Sequence, residues 1–207
     1  MSKLSDAMRR LSEPSRGNRK QLTEAPYKRE YMPEKERWLR EVDGRPGVPE
    51  QVHRRFGECV CGSSPWPFVL TGEPGSGKTC AALVWLDMYG GRYYTAQEWA
   101  ERVADARFER LRSSVGYLIS LSEVWTNECM RTNLFVLDEL GMRAKASEHH
   151  YDCVKGVLDK REGRPLICIS NLSLSGLEEV YDDRVASRLS GGTVVEMTGD
   201  RRMRSHG

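Results

Sequence analysis

Gly72-Glu-Pro-Gly-Ser-Gly-Lys-Thr79 follows an apolar run, Pro67-Phe-Val-Leu-Thr71, and leads straight into Cys80-Ala-Ala-Leu-Val-Trp-Leu86. The octapeptide matches G-x-x-x-x-G-K-[ST], and a strand before it and a helix after it are the setting that spacing requires. Glycines let successive backbone N–H groups turn inward around phosphate oxygens, and the helix N-terminus adds partial positive charge. Lys78 then reaches the outer phosphates, and the Thr79 hydroxyl can ligate Mg²⁺. The fixed positions coincide by chance in only about 1% of chains of this length at average composition. Gly72, Glu73, Pro74, Gly75, Ser76, Gly77, Lys78, Thr79 and Cys80 are the expected nucleotide cradle.

Downstream, short apolar runs alternate with longer helical stretches. Strands are expected at 67–71, 92–95, 133–138, 165–170 and 193–197, and helices at 77–89, 96–112, 119–131, 147–161, 175–180 and 182–189. That alternation predicts an α/β domain with a parallel five-stranded sheet flanked by helices, and no internal repeat points to a solenoid. Upstream, residues 1–29 carry eight basic groups against three acidic ones with few large apolar side chains, a composition that predicts flexibility. One short helix is expected at 33–42, ended by the breaker cluster Gly44-Arg-Pro-Gly-Val-Pro49. The expected organisation is therefore a basic N-terminal region, 1–46, and a core, 47–207.

The 207 residues hold 32 Lys plus Arg against 30 Asp plus Glu, so the near-neutral balance does not by itself indicate nucleic acid. The longest apolar runs, near 67–70 and 134–137, fall far short of the roughly 20 residues that span a bilayer. Met1-Ser-Lys-Leu-Ser-Asp6 has no apolar stretch behind its charges, so a cytoplasmic location without membrane partners is expected. Six scattered cysteines read as reduced thiols, with Cys80 and Cys168 as small core residues. His53, Cys59 and Cys61 lack a fourth ligand at metal-site spacing, so no structural metal is expected there.

A second motif lies sixty residues beyond Lys78, where the strand Leu134-Phe-Val-Leu137 ends in Asp138 and Glu139. Neighbouring side chains diverge on an extended strand, so Asp138 can face the metal and Glu139 the attacking water. A second carboxylate favours ATP hydrolysis over phosphoryl transfer to a small molecule, which needs an acceptor pocket instead. The strand 165–170 runs into Ser170 and Asn171; Asn171 reads either as a contact to the γ-phosphate or lytic water or as a turn residue.

Arg184 and Arg188 share a helical face four residues apart, fit to stabilise a transferring phosphoryl group or to pair with Asp182, Asp183 or Glu178; spacing alone favours pairing. Leu189-Ser-Gly-Gly192 resembles the ABC transporter signature, but lies about fifty residues after the acidic strand instead of before it. Arg102, Arg107, Arg110 and Arg112 form a possible backbone-contacting stripe on 96–112, which the interleaved Glu101, Asp105 and Glu109 turn into a solvated face.

In motif and order the chain resembles the AAA+ superfamily, and within it the DnaC-type helicase loaders and the similar IstB-type transposition helper ATPases. The resemblance covers about residues 67–204. It runs from the phosphate loop through Tyr93-Tyr-Thr-Ala-Gln-Glu-Trp99, Leu134-Phe-Val-Leu-Asp-Glu-Leu-Gly141 and Pro165-Leu-Ile-Cys-Ile-Ser-Asn-Leu-Ser173 to Asp183-Arg-Val-Ala-Ser-Arg-Leu189. The resemblance implies a P-loop core of AAA+ type without a clear C-terminal lid, with ATP and Mg²⁺ as cofactors. It also implies Arg188, or second Arg184, as a finger reaching a neighbouring subunit's ATP, and Arg202 in Gly199-Asp-Arg-Arg-Met-Arg204 as a phosphate sensor. Implied partners are single-stranded DNA, further copies of the chain, and a replicative helicase docked through 1–46. A transposition helper, a small-molecule phosphotransferase and a nucleotide-dependent switch are the alternatives.

Overall fold

The computed structural model describes residues 48–142 and 146–199. The basic region 1–46, the helix expected at 33–42 and Arg202 lie outside the described residues. Within them the order is α1 (Glu50–Val60), β1 (Phe68–Thr71), α2 (Lys78–Tyr89), β2 (Gly91–Thr95), α3 (Ala96–Arg107) and α4 (Leu121–Glu123), which continues as a π-helix (Val124–Met130). Then follow β3 (Leu134–Leu140), α5 (Glu148–Lys160), β4 (Leu166–Ser170), α6 (Leu174–Val180), α7 (Asp183–Ser190) and β5 (Thr193–Glu196). The strands form one sheet in the order β2-β3-β4-β1-β5, and every neighbouring pair is parallel.

Helices cover both faces, which is why β1 and β4 are apolar along most of their length and buried at every position. Side chains alternate between two cores. Phe68, Leu70, Val136 and Ile169 meet α1 and α2, whereas Val69, Phe135, Leu137 and Cys168 meet α3, α5, α6 and α7. In the first core the Phe56 ring stacks on Trp85 at 4.0 Å, and Phe68 meets both edge-on. Trp85 Nε1 donates to His53 Nδ1 at 3.2 Å, so His53 helps seat α1 on α2. Cutting Phe56 back to alanine removes the centre of this stack, a loss of about 3–5 kcal/mol.

The outline follows the sequence pattern closely, with three differences. Helix α1 was not anticipated; Val52, Phe56 and Cys59 form a narrow stripe on an otherwise polar segment. The helix expected at 96–112 stops at Arg107: Thr95 and Glu98 cap its start reciprocally, and beyond Phe108 the backbone of Glu109 turns left-handed at φ 55°. The segment that follows is a loop pinned by one antiparallel bridge between Arg112 and Leu118. The helix expected at 119–131 is one α turn that widens into π geometry.

A buried arginine fastens that widened segment. Arg161, just past α5, donates to the carbonyls of Cys129 and Thr132 at 2.8 Å each, and to those of Asn133 and Pro165. It thereby ties the π-helix end to the starts of β3 and β4; burial pulls its guanidinium down to about 10. Among the described residues no helix is long and apolar enough to cross a membrane.

Candidate functional site

The C-terminal ends of β1, β3 and β4 share one edge of the sheet, where a parallel α/β fold places its ligands. At the end of β1 the chain turns through Gly72, Gly75 and Gly77, with φ of 125°, 88° and 91°. At Gly72 space decides as well as conformation: a Cβ there would sit 2.1 Å from the Met197 carbonyl oxygen, because Met197 N–H donates to the Thr71 carbonyl at 2.8 Å. Gly77 occupies the N-cap of α2 in left-handed conformation, and no side chain caps the first turn. Its amides are left to serve an anion.

Lys78, only 5% exposed, folds over this loop. Its Nζ donates to the carbonyls of Gly72 at 2.7 Å and Glu73 at 2.8 Å, and to Ser76 Oγ at 3.2 Å. Burial lowers its pKa, and the negative charge of Asp138 works in the other direction. A nearly buried ammonium with neutral oxygen partners, beside an uncapped helix start, suits a polyanionic phosphate.

Asp138 is buried at the same edge. Its Oδ2 accepts from Thr79 Oγ1 and from Tyr93 OH, both at 2.8 Å, while its Oδ1 accepts from the Glu139 N–H at 2.6 Å. Burial raises the carboxyl above its usual range; these hydrogen bonds and the charge of Lys78 pull it back only in part. A carboxylate oxygen touching a threonine hydroxyl, one from each motif, is a hard oxygen donor set fit for Mg²⁺. The residues present therefore fit both groups that the motifs imply.

Glu139 parts from Asp138 by more than strand pleating. The β3–β4 register breaks between Leu137 and Leu140, and Glu139 sits in that bulge with φ 60°, exposed where Asp138 is buried. A non-glycine residue in this conformation stores roughly 1–3 kcal/mol. Burial raises its carboxyl pKa, followed by the negative charges of Asp138 and Glu98. A raised carboxyl facing outward at the strand end is chemically suited to accept a proton from water.

The other expected site residues divide. Asn171 is exposed directly after β4. Beside it Ser170 donates to the Leu140 carbonyl at 2.7 Å and accepts from the Leu172 N–H at 2.9 Å, holding the end of β4 against the bulge. Arg184 and Arg188 lie exposed on α7, outside the phosphate cradle. Arg188 does pair, but with an acid other than those expected from spacing: its Nε stands 2.6 Å from Asp159 Oδ1 on α5. Asp182 instead caps α7, accepting from the Val185 N–H at 2.9 Å and from Tyr151 OH at 2.7 Å.

Two readings need correction. Arg102 belongs to no surface stripe: it is buried, with Nη2 2.7 Å from Glu128 Oε1 and Nε donating to Oε2 at 3.2 Å. Arg110 and Arg112 lie past the end of α3, so only Arg107 remains exposed on that helix. Cys168 is fully buried as expected and burial raises its thiol, whereas Cys80 is only half-buried. All six cysteines are free thiols. The residue that motif reading missed is Tyr93, whose link to Asp138 crosses from β2 to β3 and leaves no trace in either motif.

No protein-family model matches the chain, and no curated protein matches it. Solved structures do match. The crystal structure of the DnaC helicase loader is similar over 78% of this chain and 99% of that one, at TM-score 0.59 and 14% identity. That of DnaI is similar over 79% and 93%, at TM-score 0.50 and 18% identity. The replication initiator DnaA bound to AMPPCP and single-stranded DNA matches over 73% of this chain, at TM-score 0.58 and 20% identity. This chain spans 46% of that DnaA chain, less than half its length. The chain thus shares the fold of these structures, a parallel five-stranded sheet with flanking helices.

Proposed function

We propose that this chain hydrolyses ATP as an accessory of DNA replication, loading or remodelling a hexameric replicative helicase that docks on residues 1–46. The observation that carries the catalytic part is the meeting of Thr79 with Asp138 beside Lys78, with Glu139 turned outward by the bulge. Loop amides and Lys78 bind and orient the phosphates. Glu139 takes the proton of the attacking water, and Asn171, on the same edge, orients that water. Mg²⁺ held by Thr79 and Asp138 supplies positive charge against the phosphate oxygens. Arg188, with Arg184 as second choice, acts on the ATP of a neighbouring copy, a role assigned on the sequence resemblance; within its own chain Arg188 pairs with Asp159 on α5. Arg202 is assigned as a phosphate sensor on the sequence resemblance alone.

The helicase-loading part is supported by likeness in fold to 99% of the chain in the DnaC helicase loader crystal structure. Single-stranded DNA contact is supported by the loop after α3. There Phe108 is 63% and Tyr117 54% exposed, the Arg110 guanidinium lies 5.3 Å from the Phe108 ring centre, and Arg107 and Arg112 are exposed nearby. Exposed rings among arginines suit stacked bases and their phosphates.

The test is capture of candidate replicative helicases by the full chain and by one starting at Gly47, each with and without ATP and Mg²⁺. Capture that disappears on truncation establishes the loader reading. No capture, with ATP turnover still stimulated by DNA, replaces it with a transposition helper or another DNA-dependent ATPase. Transfer of phosphate to a small acceptor in preference to water overturns the hydrolytic assignment. A switch would show binding with negligible turnover.

A further inference from the structure

Asp138 is held from three directions. Thr79 comes from the helix after the phosphate loop and the Glu139 amide from β3 itself, but Tyr93 comes from β2 and belongs to neither motif. Strand register explains its reach. Tyr93 pairs with Val136 and Thr95 with Asp138, so Tyr93 leaves the sheet on the same face as Asp138, two residues short of it. A phenol is long enough to span that offset, and the half-buried ring packs against the core under α2.

We infer that Tyr93 is the positioning residue of the metal site: its hydroxyl holds Asp138 Oδ2 in place so that Thr79 is released to serve the cation. The inference rests on the nucleotide reading above. Oδ2 accepts two hydroxyl protons at equal distance, 2.8 Å. With phenylalanine at 93, Thr79 would be the one side chain left among the described residues to restrain Oδ2, with the Glu139 amide on Oδ1, while also presenting its own oxygen to the metal. Outer partners that orient metal-binding carboxylates commonly contribute about 10–100-fold in metal affinity.

The adjacent residue supplies the control. Tyr94 leaves β2 on the opposite face, and its hydroxyl donates to Glu128, remote from the phosphate loop in the sequence and on the other core. The experiment measures binding of a fluorescent ATP analogue to the full chain, in EDTA and across a Mg²⁺ titration, for the unaltered protein, Tyr93→Phe and Tyr94→Phe. Circular dichroism verifies that each variant is folded.

The expected result for Tyr93→Phe is unchanged affinity in EDTA and a half-saturating Mg²⁺ concentration raised by about 10-fold or more. Tyr94→Phe should match the unaltered protein in both. An unchanged Mg²⁺ requirement in Tyr93→Phe overturns the inference. So does an equal loss of affinity with and without metal, which would make Tyr93 a wall of the pocket. Absence of nucleotide binding by the unaltered protein overturns the nucleotide reading, and this inference falls with it.

Discussion

Tyr93 and Tyr94 are consecutive, and each ends on a carboxylate, but the two faces of the sheet treat those carboxylates in opposite ways. Under α2, Asp138 receives two hydroxyls and one amide, all neutral donors. Under α3 and the π-helix, Glu128 receives the Tyr94 hydroxyl together with two nitrogens of buried Arg102. Burial and the adjacent carboxylate push both phenols above the ordinary tyrosine range, so both remain donors. The difference teaches what each acid is for. Glu128 is paired with a buried guanidinium inside the chain and serves the packing; Asp138 has neutral hydrogen-bond donors, with the Lys78 charge acting on it without a direct pair.

Four experiments can break or sharpen that contrast. The largest effect is expected at the functional face, where Glu139→Gln should lower ATP turnover by about 10²–10⁴-fold while leaving nucleotide binding intact. Phosphate release and analogue binding measured together decide it, and turnover within twofold of the unaltered protein would remove the base assignment.

The second exchanges the faces. Glu128→Ala strands Arg102 in the core and should destabilise the fold by about 3–5 kcal/mol in urea unfolding, with nucleotide affinity of the folded protein unchanged. Asp138→Asn should behave oppositely, losing the metal dependence of binding while the ligand-free fold is as stable or more so at neutral pH. The sign follows from the raised carboxyl of Asp138. The folded state binds its proton more readily than the unfolded one, so the penalty exists above the folded pKa and is relieved as pH falls through it. The stability gap between the two proteins should therefore narrow in acid.

Tyr94→Phe ranks third, at about 1.5–3 kcal/mol for a lost hydrogen bond to a buried charged group. A cost under 0.5 kcal/mol in chemical unfolding would mean that Arg102 alone satisfies Glu128. The smallest effect on stability is expected at α7. Arg188 is 43% exposed where it meets Asp159, so Arg188→Ala should change unfolding free energy by no more than about 1 kcal/mol. Its turnover should nevertheless fall, and mixing it with Lys78→Ala protein should restore part of it if the finger acts between copies. A stability loss well above that bound would make the Asp159 pair structural.

Much of the fold was legible because its signals are local. Phe-Val-Leu, Leu-Phe-Val-Leu and Leu-Ile-Cys-Ile are too apolar to be anything but buried strands, and each observed strand lies within three residues of its expected limits. Helix α1 escaped notice because three core side chains were diluted by arginine and glutamate. The end of α3 escaped because Phe-Glu-Arg-Leu-Arg contains no breaker; the chain turns there only because Glu109 adopts a left-handed conformation. Arg102 has the sequence pattern of a surface residue because its charge partner lies twenty-six positions away.

The phosphate loop, the strand bearing Asp138 and Glu139, and the helix carrying Arg184 and Arg188 were determined by the sequence itself, since each depends on the conformations of a few consecutive residues. Only the tertiary structure decided which carboxylate meets which donor: Tyr93 with Asp138, Arg102 with Glu128, Arg188 with Asp159. Those choices depend on strand register and helix placement, and a shift of one residue along β2 would send Tyr93 to the other face and Tyr94 to Asp138.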